Sequence, residues 1–287
     1  MLAAWVGVDS RAGSSLYLVS DSRLTLENGR IDDQSKKIFL SLTEPHLFGY
    51  AGWSPYPTRV LDALVRSIDN NTLFRPQEKA EARHAKVLTF LQTSLRQFLR
   101  PKTRQNCPSP FFIIHAAREN SRMNSTFHLW ILQWVPGKGW KMRRRHVGPK
   151  SAVLCSEGSG KRYFRRRLRL WNRSEVGNTS RAVFSSFCDA LRGTRDPSSG
   201  GAPQLAGLFR IGSARQFGVL YGTRHFIAGR PTGRVDLAQG LSWRNELFER
   251  VDARTSRRVP RGQPQPRPAS IGRPRPPKLL FGRTQQH

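Results

Sequence analysis

Twice along this chain a run of short apolar segments gives way to a pair of helical stretches, after which the apolar segments return. Short β-branched and aromatic runs bounded by Gly, Asn or Pro read as strands, and apolar residues at three- and four-residue intervals read as helix. On that reading AAWVGV near the start, SLYLVS (15–20), KKIFLSL (36–42) and HLFGYAG (46–52) form an antiparallel meander. Pro55 and Pro57 open a helix over 58–68, and a second helix over 78–99 gathers Val87, Leu88, Leu91, Leu95, Phe98 and Leu99 on one side. The second round places strands at 111–117, 127–134 and 152–158, helices near 160–171 and 180–192, and strands again across 205–229. Helices kept apart from antiparallel strands predict an α+β fold, with sheets packed face to face between helical layers.

With 287 residues, 37% of them apolar, the chain can bury a substantial core, and the folded domain is expected over 1–251. Beyond that the composition turns to Arg and Pro with little to bury. Residues 252–287 are therefore expected to be a disordered, polyproline-like basic tail. Lys and Arg number 49 against 19 acids, a formal charge of +30, with clusters at 141–145, 161–169 and in the tail. Such a field attracts polyanions without selecting among them, and the Arg bias also fits a high-GC bacterial composition. Weak, salt-sensitive nucleic-acid binding through the tail is the most it predicts.

Cys107, Cys155 and Cys188 are odd in number and far apart, which gives no disulfide framework and suits a reducing cytoplasm. The start has no basic n-region, and no stretch approaches the roughly 20 apolar residues of a membrane span, so neither secretion nor membrane insertion is expected. The seven histidines form no HxxxH or HxH pair; His115 and His128 lie on apolar strands and read as core histidines. No metal and no cofactor is expected.

Chemistry concentrates in a few short segments. LYLVSDSRLT ends a strand on Asp21-Ser22-Arg23, and Lys37 follows sixteen positions later at the head of the next strand, so a hairpin would bring carboxylate and ammonium together. In Gly49-Tyr50-Ala51-Gly52, glycines at a strand end let backbone N–H groups approach an oxyanion. Gly158-Ser159-Gly160 precedes a helix, and Asp196-Pro197-Ser198-Ser199-Gly200-Gly201 follows one. SEGSGKRY is no phosphate loop, because Cys155 and Arg162 stand where that pattern needs Gly and Ser or Thr. Taken singly, these residues read as an Asx turn, a solvated strand end, a helix cap and a loop opener.

Taken together they resemble the proteasome-type N-terminal-nucleophile hydrolases: proteasome β subunits, the bacterial two-component protease subunit of the same fold, and the Anbu proteins. DSRLT (21–25) is similar to the family's Asp-Ser-Arg-x-Thr, Lys37 falls at its catalytic lysine, and GYAG resembles its oxyanion segment. GSG (158–160) and RDPSSGG (195–201) are similar to its Gly-Ser-Gly and Asp-x-x-Ser-Gly-Gly. The resemblance implies a four-layer αββα sandwich and a threonine-type peptidase or amidohydrolase. Lys37 would lower the pKa of nucleophile and amine, Asp21 would orient Lys37, and Ser159, Asp196 and Ser199 would bind the amine and its water. Gly52 would serve the oxyanion and Thr25 would hold a substrate backbone. It also implies a peptide or protein substrate and a homo-oligomer, as a ring or a helical assembly. The nucleophile is missing: counted back from Asp21 it is expected at Ala3 or Ala4, neither with a hydroxyl or thiol. Two outcomes follow, an enzyme whose true start lies upstream and supplies Thr, Ser or Cys, or an inactive assembly subunit.

Overall fold

The computed structural model describes residues 1–10, 12–26, 29–99, 108–233 and 240–272. Its first half runs β1 (Leu2–Val8), β2 (Gly13–Ser20), β3 (Leu24–Thr25), β4 (Ile31–Asp32), β5 (Ile38–Leu40), β6 (His46–Gly52), α1 (Pro55–Asp69) and α2 (Ala80–Phe98). There follow β7 (Phe111–Glu119), β8 (Thr126–Val135), β9 (Gly139–Arg145), β10 (Ala152–Glu157), α3 (Lys161–Asn172) and α4 (Ser180–Gly193). The last elements are β11 (Gln204–Phe209), β12 (Arg215–Tyr221), β13 (Arg224–Ile227), β14 (Arg230–Pro231), β15 (Ser242–Asn245) and β16 (Arg250–Val251).

One sheet has the order β10-β1-β2-β11-β12-β13-β14, with β15 also beside β12; the other has the order β5-β6-β7-β8-β9. β3 and β4 form a separate ribbon. Side chains alternate across β1, and both of its faces are covered. Leu2 and Ala4 pack with Leu16 and Leu18 against Ile38, Leu47, Ile114 and Leu129 of the second sheet. Ala3, Trp5 and Val19 pack against Phe164 of α3 and Phe184, Phe187 and Leu191 of α4. A third cluster joins Phe48, Tyr50, Ile113 and Leu132 to Leu61 and Leu64 of α1 and Leu91 and Leu95 of α2. Each helix pair thus covers a different sheet, and β1, buried on both sides, reads as an unbroken apolar run. No described helix is long and apolar enough to cross a membrane.

Two regions differ from the sequence expectation. Lys141–Arg145, read as a charge cluster, lies in β9, which pairs with β8 from Val135↔Gly139 to Leu129↔Arg145. An edge strand with exposed side chains carries no apolar alternation, and its charges guard the open edge. Packed chain also continues past 251. The Arg267 guanidinium stacks on Trp171, 5.1 Å from the ring centroid, and pairs with Asp189. Gln265 N donates to Glu249 Oε1 at 2.7 Å, and Ile271 is buried beside Trp171 and Ala182. Disorder is therefore not what residues 252–272 display. Prolines restrict the unfolded chain, which lowers the entropy lost when the segment docks; Arg258 near Glu249 and Ala253 in a small apolar cluster add to the contacts. Residues 273–287 and Cys107 lie outside the described residues.

The second sheet buries a histidine chain. Arg83 Nη1 lies 3.4 Å from His46 Nε2, His46 Nδ1 2.9 Å from His115 Nε2, His115 Nδ1 2.9 Å from His84 Nδ1, and His84 Nε2 3.0 Å from Met142 Sδ. Arg83 can only donate, which puts the His46 proton on Nδ1 and fixes each following tautomer in turn, ending with N–H donation to the Met142 sulfur. Every ring is neutral, and every ring lone pair accepts a hydrogen bond. Burial, with Arg83 and His84 nearby, pushes His46 down to about 3; burial takes His84 to about 4 and His115 well below its ordinary value.

Candidate active site

The site forms where β1 begins and β2 ends. Leu2 pairs with Ser20, so Met1 stands beside Asp21, whose backbone N–H donates to Met1 O at 3.2 Å. Ala3 and Ala4 lie further along β1, fully buried and opposite Val19 and Leu18. The position facing Asp21 and Lys37 is therefore Met1 and not Ala3. Ala3 and Ala4, where the sequence places the nucleophile, thus lie two and three residues past it; the hairpin register shifts between Gly7 and Val8.

Asp21 is fully buried and both its oxygens are used. Oδ1 accepts from the Met1 α-amino group at 2.5 Å and from Lys37 Nζ at 3.1 Å. Oδ2 accepts from Gly200 N at 3.1 Å and Arg23 N at 3.3 Å. Burial alone would raise the carboxyl pKa; the charges of Lys37 and the amine, with the Gly200 N–H, hold it below the usual carboxylate range. The Met1 amine is lowered by burial, and Lys37 adds to this against the pull of Asp21. That is the direction a general base needs.

The loop after α4 closes the other side. Ser199 Oγ lies 3.5 Å from the Met1 amine and donates to Asp196 Oδ2 at 2.7 Å. Burial pushes the Asp196 carboxyl up, and the Ser159 and Ser199 hydroxyls with the Ser198 N–H more than reverse it. Gly160 must lack a side chain, since a Cβ there would fall 2.2 Å from Met1 Cγ and 2.5 Å from Ser199 Oγ. The Asp21, Lys37, Ser159, Asp196 and Ser199 of the sequence reading are thus brought together around Met1.

A cleft of about 930 Å³ opens from this cluster, lined among others by Met1, Thr25, Lys37, Gly52, Trp53 and Ser159. Gly52 ends β6 with φ +96°, a conformation that strains any other residue, and a Cβ there would meet Pro110 O at 2.6 Å. Leu24 and Thr25 of β3 face the cleft, and among the described residues that strand pairs only with β4. A free strand edge opposite a glycine turn can take an extended backbone.

Sequence reasoning missed Gln204. Its Oε1 accepts from Lys37 N at 2.9 Å and Ile38 N at 3.3 Å, and its Nε2 donates to Ser35 O at 2.7 Å and Asp21 O at 3.3 Å. One amide so ties the Lys37 strand to the Asp21 turn. Arg23 was quoted within its motif without a role; it grips Asp33 through Nε at 2.7 Å and Nη2 at 2.9 Å, lying flat over Gly200. The Gln204 role and the approach of Arg23 to Gly200 have no local signal, because each joins segments well over a hundred residues apart. Among the described residues no group of three or more His, Cys, Asp or Glu could hold a metal ion.

No family model matches the chain, and no curated protein does. Among solved structures, Anbu (ancestral beta-subunit) from Yersinia bercovieri is similar over 73% of this chain and 82% of that one, at 13% identity and a TM-score of 0.45. The helical assembly of the Anbu complex from Pseudomonas aeruginosa is similar over 75% of this chain and 86% of that one, at 13% identity and a TM-score of 0.49. Likeness at this level transfers no residue role and no activity.

Proposed function

We propose that this chain is a proteasome-type N-terminal-nucleophile hydrolase in architecture, a four-layer αββα sandwich whose cleft binds extended peptide. The supporting observation is the buried Met1–Asp21–Lys37 cluster with Ser199 at its side, at the head of a cleft edged by Thr25 and Gly52. In this reading the α-amine is the base, Lys37 supplies the field that favours deprotonation, and Asp21 keeps Lys37 charged and aimed. The Gly52 N–H serves the oxyanion. Ser159, Asp196 and Ser199 hold the amine and its water.

What the head of β1 carries decides turnover. A Met thioether has no proton to give the amine and forms no stable acyl ester, so the chain with Met1 binds peptide without cleaving it. A Thr, Ser or Cys supplied from upstream would have to take the place Met1 holds. A one-residue slip of β1 would turn Leu2 and Ala4 off the face they share with the second sheet. Assembly of copies into a ring or helix belongs to the same proposal, and sedimentation of the purified chain tests it.

The decisive experiment replaces Met1 with Thr, exposed by cleaving an N-terminal fusion. Met1→Thr is expected to gain peptidase activity and to be labelled by an electrophilic threonine-directed inhibitor, and the further change Lys37→Ala to abolish both. Intact mass of the unaltered protein identifies its first residue and should show no labelling. A correctly folded Met1→Thr protein that neither cleaves nor labels would overturn the hydrolase reading.

A further inference from the structure

The charge of the cleft is lopsided. Of the ionisable side chains lining it, Arg23, Lys37 and Arg59 are cationic, and among the described residues no carboxylate lines it. Two of the three are spent: Arg23 is bidentate on Asp33, and Lys37 is paired with Asp21. Arg59, one turn into α1, is different. Its side chain is exposed, makes no ion pair among the described residues, and leans toward the Phe98 ring, 5.9 Å from guanidinium carbon to centroid. The walls around it are largely apolar, with Leu24, Leu26, Trp53, Pro55 and Pro110.

We infer that the cleft selects peptides carrying an acidic side chain, received by Arg59, with apolar or aromatic residues beside it. The inference rests on the peptide-cleft reading above and adds its substrate class. A planar guanidinium with unused donors matches a carboxylate in bidentate geometry, and partial exclusion of water by Trp53 and Pro110 strengthens the pair. A basic side chain in the same place meets Arg59 with no acid on the described lining to offset it, in a chain of formal charge +30. Salt should weaken the preference, since Arg59 stands at the surface.

The test uses short fluorescein-labelled peptides of apolar and aromatic sequence, capped at both ends, with a single Glu, Gln or Lys moved along the chain, and reads anisotropy with the full-length protein. At one position Glu is expected to bind about fivefold more tightly than Gln, the worth of one partly shielded pair, and Lys more weakly than either. Arg59→Glu, on an exposed face, should leave the melting temperature unchanged and reverse the order to Lys over Gln over Glu. Equal binding of the three peptides, or a Glu preference that survives Arg59→Glu, overturns the inference and leaves the peptide cleft standing. Absence of binding by every peptide overturns the peptide cleft and the inference with it.

Discussion

The molecule buries two polar clusters, and they solve the same problem in opposite ways. Around Asp21 three ionisable groups sit out of water, with amine and ammonium set against one carboxylate whose four acceptor positions are filled. Around His115 the groups are imidazoles, and the structure keeps them neutral by passing one proton per ring along a line that starts at Arg83 and ends at Met142. Burial opposes charge in both places, and the partners differ. A carboxylate in the interior stabilises nearby cations, whereas an arginine at the head of a histidine chain disfavours adding another.

The widest separation between the clusters should appear in acid. Folded His46, His84 and His115 have depressed pKa values, so the unfolded chain takes up protons as pH falls through about 6.5 while the folded chain does not. Their contribution is fully present above that pH and is lost as pH falls toward about 4, at up to about 1.4 kcal/mol per pH unit for each ring. Urea unfolding at pH 7 and pH 5 should therefore differ by as much as about 6 kcal/mol. Asp21, also depressed, keeps its contribution until pH falls below the usual carboxylate range. Equal stability at the two pH values would show that the histidine chain is not held neutral.

Breaking the charged cluster comes next in size. Lys37→Met leaves Asp21 with the amine as its one ionic partner and should cost about 3–5 kcal/mol in urea unfolding. The double variant Asp21→Asn/Lys37→Met should cost clearly less than the sum of the two single changes, and strict additivity would refute the pairing. A smaller loss, about 2 kcal/mol, is expected for Arg267→Ala, which strips Asp189 of its guanidinium and Trp171 of its stacking cation. Smallest is Met142→Leu, under about 1 kcal/mol, because Met142 is about half-exposed and water can accept the His84 N–H hydrogen bond instead. A larger effect there would mean that the far end of the histidine chain is dry.

Much of this was legible in the residues, and the limits have physical causes. Apolar strand runs and helices with an apolar side emerge from local pattern, as β7, β8 and α2 do. β9 does not, since an edge strand with exposed side chains has no apolar face to display. Asp21 and Lys37 were found as a pair because a short hairpin links them. The head of the site was misplaced by two or three residues because loop length between β1 and β2 leaves no signature. Gln204 and the histidine chain were invisible for another reason. His115 lies opposite Phe48 and Trp130 through strand pairing, and its meeting with His84 depends on where α2 lands. The docked segment around Arg267 escaped notice because its composition is that of a disordered tail, and its few scattered anchors do not change that composition.

The place of β1 also bears on how the molecule comes into being. It lies inside its sheet, between β2 and β10, and its first residue touches a loop 198 positions away. A chain emerging from the ribosome can pair β1 with β2 early, but the second edge of β1 stays open until β10 is made, and the Ser199 loop comes later still. Contacts this distant slow folding and leave an apolar strand edge exposed meanwhile. The residues of β1 thus acquire their final neighbours only after the chain far beyond them is made, and the cleft cannot take a ligand before the Ser199 loop exists.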